Sequence, residues 1–514
     1  MTFGKRKVLS VLVVFMVVSL NCFSQEIGCY ENQRCPDMGN GSFQNPILGG
    51  DYPDPSVLKD GDDYYMTNSS FIYYPGLLIW HSMDLVNWEP VCHALNKNVG
   101  SVYAPDFTKY NDKYYIYFPA AGTNWVVVAD SPEGPWSDPV DLKVKNIDPG
   151  HVTDKEGNRY LHLSDGQYVE LAKDGLSIKG DVKKVYDGWL IADTFDVECF
   201  CLESPKLSYH NGYYYLTTAE GGTAGPPTSH MVVSARSKTA VGPWENSPYN
   251  PIICTLDRNE KWWSKGHGTL VDDKDGNTWI MFHGYENGYH TLGRQTIIQP
   301  IEWTEDGWFK AVEGQASDQV FKKPSGTTVK HGHKLSDDFS GDKIGLQWQF
   351  FKEFEPDRVK LKDGMLQLEA KGTSLSDCAP LLCIPTNYSY ELQTEIEIEP
   401  GATGGITLYY NDMANCGIAV DMKKIYVIRH GRKITVAQNT IGKHLYLKLI
   451  NKNHVICNYF SADGKNWIKA DKVIEVSGYH HNSFHGFLSL RAGIFAFGNG
   501  NVKYNYFNYE GINP

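Results

Sequence analysis

One pattern of polar and apolar positions returns along the first three fifths of the chain. A short turn rich in Asp, Asn and Gly leads into an aromatic, strand-forming run. The copies are GDDYYMTNSS (Gly61–Ser70), NDKYYIYFPA (Asn111–Ala120), GNRYLHLS (Gly157–Ser164), NGYYYLTTAE (Asn211–Glu220) and GNTWIMFHG (Gly276–Gly284), at intervals of roughly 45–65 residues. Such turns ahead of β-prone residues form hairpins, and a fixed period of this length marks a repeat architecture. A polar turn ending in Trp follows several copies: SMDLVNW, SPEGPW and SKTAVGPW. No long helical periodicity interrupts them. Repeats of several short strands each predict a five-bladed β-propeller over residues 42–321. A long β-sandwich or β-helix is the competing architecture, and the period is too long for β-helix turns.

The pattern changes near Phe321. KKPSGTTVKHGHK (Lys322–Lys334) reads as a polar linker. Beyond it, MLQLEA, YELQTEIEIE, GITLYY, LYLKLI and HVICNYF alternate apolar and polar positions, as strands with one buried face do. Residues 335–514 therefore predict a β-sandwich, and the chain as a whole is all-β.

The 514 residues exceed one ordinary domain, which agrees with two. A net charge of -12 argues against a nucleic-acid partner. Lys5-Arg6-Lys7, the apolar run Val8 to Val18 and the small polar residues near Ser24 form a secretory signal peptide over residues 1–24. The chain is expected to be exported, to the periplasm or beyond, with no spanning segment. Lipid anchoring at Cys22 is a weaker alternative, because Asn21 fits a lipobox poorly. Export permits disulfides among the eleven cysteines. Cys29 and Cys35 suit a small bridged loop, and Cys199 and Cys201 would share one face of a strand. No Cys/His cluster has zinc spacing.

Candidate chemistry comes from equivalent positions in the repeats. Asp54 in YPDPS, Asp106 in YAPDF, Asp148 in NIDPG, Glu203 in LESPKL and His267 in KGHGTL each stand 8–12 residues before an aromatic strand. The first strand of each propeller blade lines the central channel, so these side chains should converge. Four carboxylates together must raise one another's pKa or share a cation.

At these residues the chain resembles glycoside hydrolase family 43, five-bladed propeller enzymes that remove xylose or arabinose from plant polysaccharides. The motifs run in order from YPDPS through YAPD, IDP, ESP and AEGGT to LGRQT (Leu292–Thr296). The C-terminal part, from DDFSG (Asp337–Gly341), is similar to the jelly-roll, concanavalin A-like sandwich that accompanies β-xylosidase-type members. The resemblance implies Asp54 as general base, Glu203 as general acid, and Asp148 as the group that orients Glu203 and raises its pKa. It implies inversion, with the two carboxyls about 6.5–9.5 Å apart. Arg294 would bind sugar hydroxyls, or else form a structural ion pair. His267 would help hold a metal ion, through water, or sit as a satisfied core histidine. Phe71, Tyr103, Ala104 and Thr223 would line the sugar pocket, or simply pack; Tyr103 stands where many members carry Trp. Asp106 is expected to support the site without reacting, and Gly222–His230 to form a rim loop. No cofactor is required for the chemistry, although a structural calcium on the propeller axis is a candidate.

The resulting expectation is an exo-acting inverting β-xylosidase acting on oligosaccharide or polysaccharide. An α-L-arabinofuranosidase on the same site is the alternative, and a binding propeller without catalysis is the reading from another class.

Overall fold

The computed structural model describes Met1 and residues 29–512. The expected signal segment, Cys22 included, lies outside the described residues apart from Met1. Among the described residues no helix is long and apolar enough to cross a membrane.

Five antiparallel sheets follow one another in chain order, four of four strands and one with an added short strand. They are the five blades expected from the repeats. Their first strands are Ser56–Asp60, Asp106–Tyr110, Gly150–Thr153, Glu203–His210 and Trp262–Asp272. Each touches the next, and the fifth touches the first, closing a ring. The aromatic runs form the second strands. Tyr114 to Phe118 is buried at every position, because neighbouring blades cover both faces of the strand. That is why these runs are continuous rather than alternating.

Among the described residues no blade mixes strands from the two ends of the propeller. The chain ahead of the first blade instead runs along the third strand of the fifth, Arg294–Trp303. Leu48 pairs with Thr296, and Tyr52 N–H donates to the Arg294 carbonyl at 3.1 Å. This contact brings Asp54 and Arg294 together from opposite ends of the propeller.

The C-terminal part is a sandwich of a seven-stranded and an eight-stranded sheet. Its strand Ser389–Ile398 alternates buried and half-buried positions, as one covered face requires. The eight-stranded sheet ends on a strand borrowed from the first repeat: Tyr73 and Tyr74 pair with Phe351 and Phe350. Arg491 of the sandwich lies over the Tyr73 ring at 3.2 Å and 4.0 Å from the buried Asp51. The sandwich is thus joined to the propeller three residues before Asp54. The polar stretch between the domains is also packed. Lys323 pairs with Asp37 at 2.6 Å and Asp84 at 3.2 Å, and His331 accepts the Trp88 N–H at 3.2 Å.

Candidate active site

Each blade carries, just before or within its first strand, a non-glycine residue in the left-handed region: Asp54 (φ 57°), Ala104 (40°), Asp148 (56°), Ser204 (53°) and His267 (51°). Such a conformation disfavours an L-residue by about 1–2 kcal/mol. Its recurrence in all five blades marks one functional ring, since strain of this kind collects at sites that use it. The flanking prolines are the sequence trace of these turns. Irregular register after Glu203 and on both sides of Gly266 re-aims the neighbouring side chains. Gly266 itself is required: a Cβ there would stand 2.1 Å from the His230 ring.

A cavity of about 450 Å³ opens at this end of the ring, a size suited to a small ligand. Asp54, Asp148, Glu203, His267, Arg294, Phe71, Tyr103, Ala104 and Thr223 all line it. Every site residue expected from the sequence is therefore in one place. Asp106 is not in the wall. It is held below by Lys206 at 2.9 Å and accepts the His151 N–H at 2.8 Å, a supporting position.

Asp54 is tied in on several sides. Arg294 Nη1 donates to Oδ1 at 2.9 Å, the Asp54 N–H donates to His283 Nδ1 at 3.1 Å, and His267 Nδ1 lies 3.3 Å from Oδ1. Ser69 donates its hydroxyl to Oδ2 and accepts the Ala104 N–H at 2.6 Å. Burial alone would raise this carboxyl, but Arg294, His267 and His283 outweigh it and hold the pKa well below the usual range. Asp54 is ionised throughout the neutral region.

His267 is shared. Its other nitrogen, Nε2, lies 3.6 Å from Glu203 Oε1 and 3.9 Å from Asp148 Oδ2. Burial opposes its charge, but Asp54, Glu203 and Asp148 overcome that and raise its pKa. It is the cation inside the carboxylate ring. Placing Asp54 and Glu203 on opposite nitrogens of one imidazole keeps them out of direct contact. An inverting pair is held about 6.5–9.5 Å apart so that a water fits between base and sugar.

Asp148 accepts the Ser204 N–H at 3.0 Å. Burial, joined by the charges of Glu203 and Asp54, raises its pKa to about 7 against the pull of His267. Glu203 goes the other way. Burial favours its neutral form, but His230 at 3.3 Å and His267 hold it below the ordinary range. The sequence reading expected Asp148 to raise Glu203. In the structure burial, with the charges of Glu203 and Asp54, raises Asp148 instead, because the two histidines stabilise the glutamate's charge. His230 is itself pushed toward the neutral form by burial, and its Nε2 faces the Glu203 carboxylate. Thr223 completes the contacts, 3.4 Å from Glu203 Oε1 and 3.2 Å from His230 Nδ1.

Arg294 forms the ion pair with Asp54 and also faces the cavity, its guanidinium 5.6 Å from the Phe71 ring and 5.5 Å from that of Phe487. Phe487 and Gly486 come from the sandwich and close one side of the cavity.

Residues 43–309 match the family model described as glycosyl hydrolases family 43. The chain belongs to glycoside hydrolase family 43. Its fold follows from that membership. Residues 336–510 match the β-xylosidase C-terminal concanavalin A-like domain. A non-reducing-end α-L-arabinofuranosidase of Bacteroides ovatus is 32% identical over 65% of this chain and 66% of its own length. A xylan 1,3-β-xylosidase of a Vibrio species is 35% identical over 52% of this chain and 56% of its own. The chain thus spans less than two thirds of either relative. A solved family 43 protein from Bacillus licheniformis superposes with a TM-score of 0.84 at 29% identity, over 92% of this chain and all of that one.

Four residues of this family 43 site were missed in the sequence. Ser69 and His283 lie inside recognised repeats, where alternation alone did not single them out. His230 ends the expected rim loop. Phe487 had no signal, since its place depends on how two domains dock.

Proposed function

We propose that the protein is an exo-acting, inverting glycosidase that releases terminal β-D-xylose from xylo-oligosaccharides or plant cell-wall polysaccharide. The observation that carries this reading is the cavity itself: the carboxylates of the propeller face Phe487 of the sandwich across it. A domain placed against one side of the channel favours a pocket for a chain end over a groove open at both ends. Asp54, ionised and fixed by Arg294, His283 and Ser69, activates the water. Glu203 delivers the proton to the departing oxygen. Asp148 is a positioning residue that also stores that proton, because burial and the neighbouring charges keep a hydrogen on the pair near neutral pH. Arg294 grips sugar hydroxyls with the donors that Asp54 leaves free.

The arabinofuranosidase name of the Bacteroides relative supports a second reading, release of terminal α-L-arabinofuranose by the same residues. The donor set near the axis does not favour calcium. It forms two groups that share His267, Asp54 with His267 and His283, and Glu203 with His230 and His267, each with two imidazoles and one carboxylate, whereas calcium takes six to eight oxygens. The charged His267 already supplies the positive charge there. Export is supported by disulfides at Cys29–Cys35 and Cys199–Cys201.

The test compares rates on nitrophenyl β-D-xylopyranoside and nitrophenyl α-L-arabinofuranoside, with Asp54→Ala as blank. A preference for the xyloside that is lost in the variant is the expected result. A preference for the arabinoside would replace the first reading by the second, and activity on neither would remove both.

A further inference from the structure

Between the last strand of the third blade and the first strand of the fourth, residues 185–202 contain no helix or strand. Irregular excursions of this length inside a compact domain are uncommon, and they are usually functional. This one is an arch fastened at both ends. At its start Trp189 N–H donates to the buried Glu220 at 2.7 Å. At its end Cys199 and Cys201 are joined, and the segment is pinned to the neighbouring rim by Glu198 N–H to the Gly221 carbonyl (3.0 Å) and Gly221 N–H to the Phe200 carbonyl (2.9 Å). The cysteines were expected to share a strand face; they cap the arch instead.

The arch reaches the catalytic cavity. Glu198, Cys199 and Cys201 are part of its wall, and Glu203 follows two residues after the disulfide. The acid that protonates the departing oxygen must face the leaving group, so the wall next to Glu203 faces whatever follows the cleaved bond. One Glu198 oxygen accepts the Ala224 N–H at 3.2 Å. The other has no partner among the described residues, and the residue is exposed. Phe200, 46% exposed, stands between the two wall cysteines. From Val185 to Leu202 the chain has four acids, four aromatics and no basic residue. Hydroxyl acceptors beside apolar rings match a sugar, which presents hydroxyls at its edge and C–H groups on its face.

We infer that the segment Glu198–Cys201 is a leaving-group subsite that holds the second sugar unit of the chain. This inference rests on the proposed glycosidase reading. The free Glu198 oxygen accepts a hydroxyl of that unit, and the disulfide keeps the wall rigid so that little ordering is needed on binding.

The experiment compares Glu198→Ala, and separately the paired substitution Cys199→Ala with Cys201→Ala, against wild type on two donors. Xylobiose has a sugar leaving group, whereas β-xylosyl fluoride has none. If arabinose proves to be the sugar released, the corresponding arabinosyl pair replaces them. The expected result is a kcat/KM loss on the disaccharide about tenfold larger than on the fluoride, the scale of one charge-assisted hydrogen bond. Equal losses on both donors would overturn the inference, since the segment would then act only by positioning Glu203. No loss on either would overturn it too. A wild type inactive on every donor would instead remove the glycosidase reading, and this inference with it.

Discussion

Replacing His267 by Gln removes the one positive side chain that touches all three carboxylates and leaves a polar group of similar reach. His267 stands 3.3, 3.6 and 3.9 Å from Asp54, Glu203 and Asp148. At such distances each attraction is about 4 kcal/mol for an effective dielectric of about 20. The cavity admits water, so roughly a third of that is expected to survive, close to one pH unit at about 1.4 kcal/mol per unit. The sign is fixed by the charges. A nearby cation lowers every carboxyl pKa, so losing it raises them. Wild-type kcat/KM on the preferred nitrophenyl glycoside is expected to be bell-shaped. Its alkaline limb lies near pH 7, where the Asp148–Glu203 pair loses its proton. Its acid limb lies below the usual carboxylate range, where Asp54 takes one up. In His267→Gln both limbs move upward by about one unit. Limbs that stay in place, or move down, would refute the charge assignment whatever happens to the rate. Stability gives an independent check. The raised pKa of His267 means that its contribution is complete below about pH 6.5 and fades as pH rises through the folded value. The wild-type advantage in Tm over the variant should therefore shrink in that direction.

Glu203→Ala should keep more activity on nitrophenyl glycosides than on oligosaccharides, because a good leaving group needs least help from an acid; equal losses would count against Glu203. Ser69→Ala removes the hydroxyl that links Ala104 N–H to Asp54. Steady-state kinetics should show kcat reduced about tenfold with KM nearly unchanged, the worth of one hydrogen bond to a charged group. Phe487→Ala opens the cavity wall supplied by the sandwich. KM should rise several-fold while the melting temperature holds, and an unchanged KM would separate the sandwich from substrate binding.

The blades could be read in the sequence because each carries the same turn-plus-aromatic signal, and a propeller has to repeat its contacts. Asp54 and Asp148 were legible for a related reason: a left-handed turn next to proline leaves a local mark. Arg294 was found only through resemblance, yet its position has a simple cause, since the segment before the first blade lies along the strand that begins with it. Phe487 and the strand Tyr73–Tyr74 could not be placed. Both depend on docking between domains, and nothing local in FIYYPG or HGFLSL says that one will meet the other's partner. The direction of the Glu203 shift was missed because His230, more than twenty residues away, was read only as the end of a loop.

The charges of the ring settle what the site must hold. Arg294 and the protonated His267 bring two positive charges to a place with three carboxylates, while His230 and His283 are kept neutral by burial. Ionising all three acids would leave a net negative charge in a buried ring, where an unpaired charge is costly. The site approaches neutrality by keeping one hydrogen. It cannot reside on Asp54, which Arg294 and His267 hold ionised, so it resides on the Asp148–Glu203 pair. An inverting hydrolysis needs this distribution before substrate arrives: one bare carboxylate on the water side and one proton on the leaving-group side. The histidines that lower Glu203 do not oppose this. They keep the proton on Asp148, next to the residue that must deliver it.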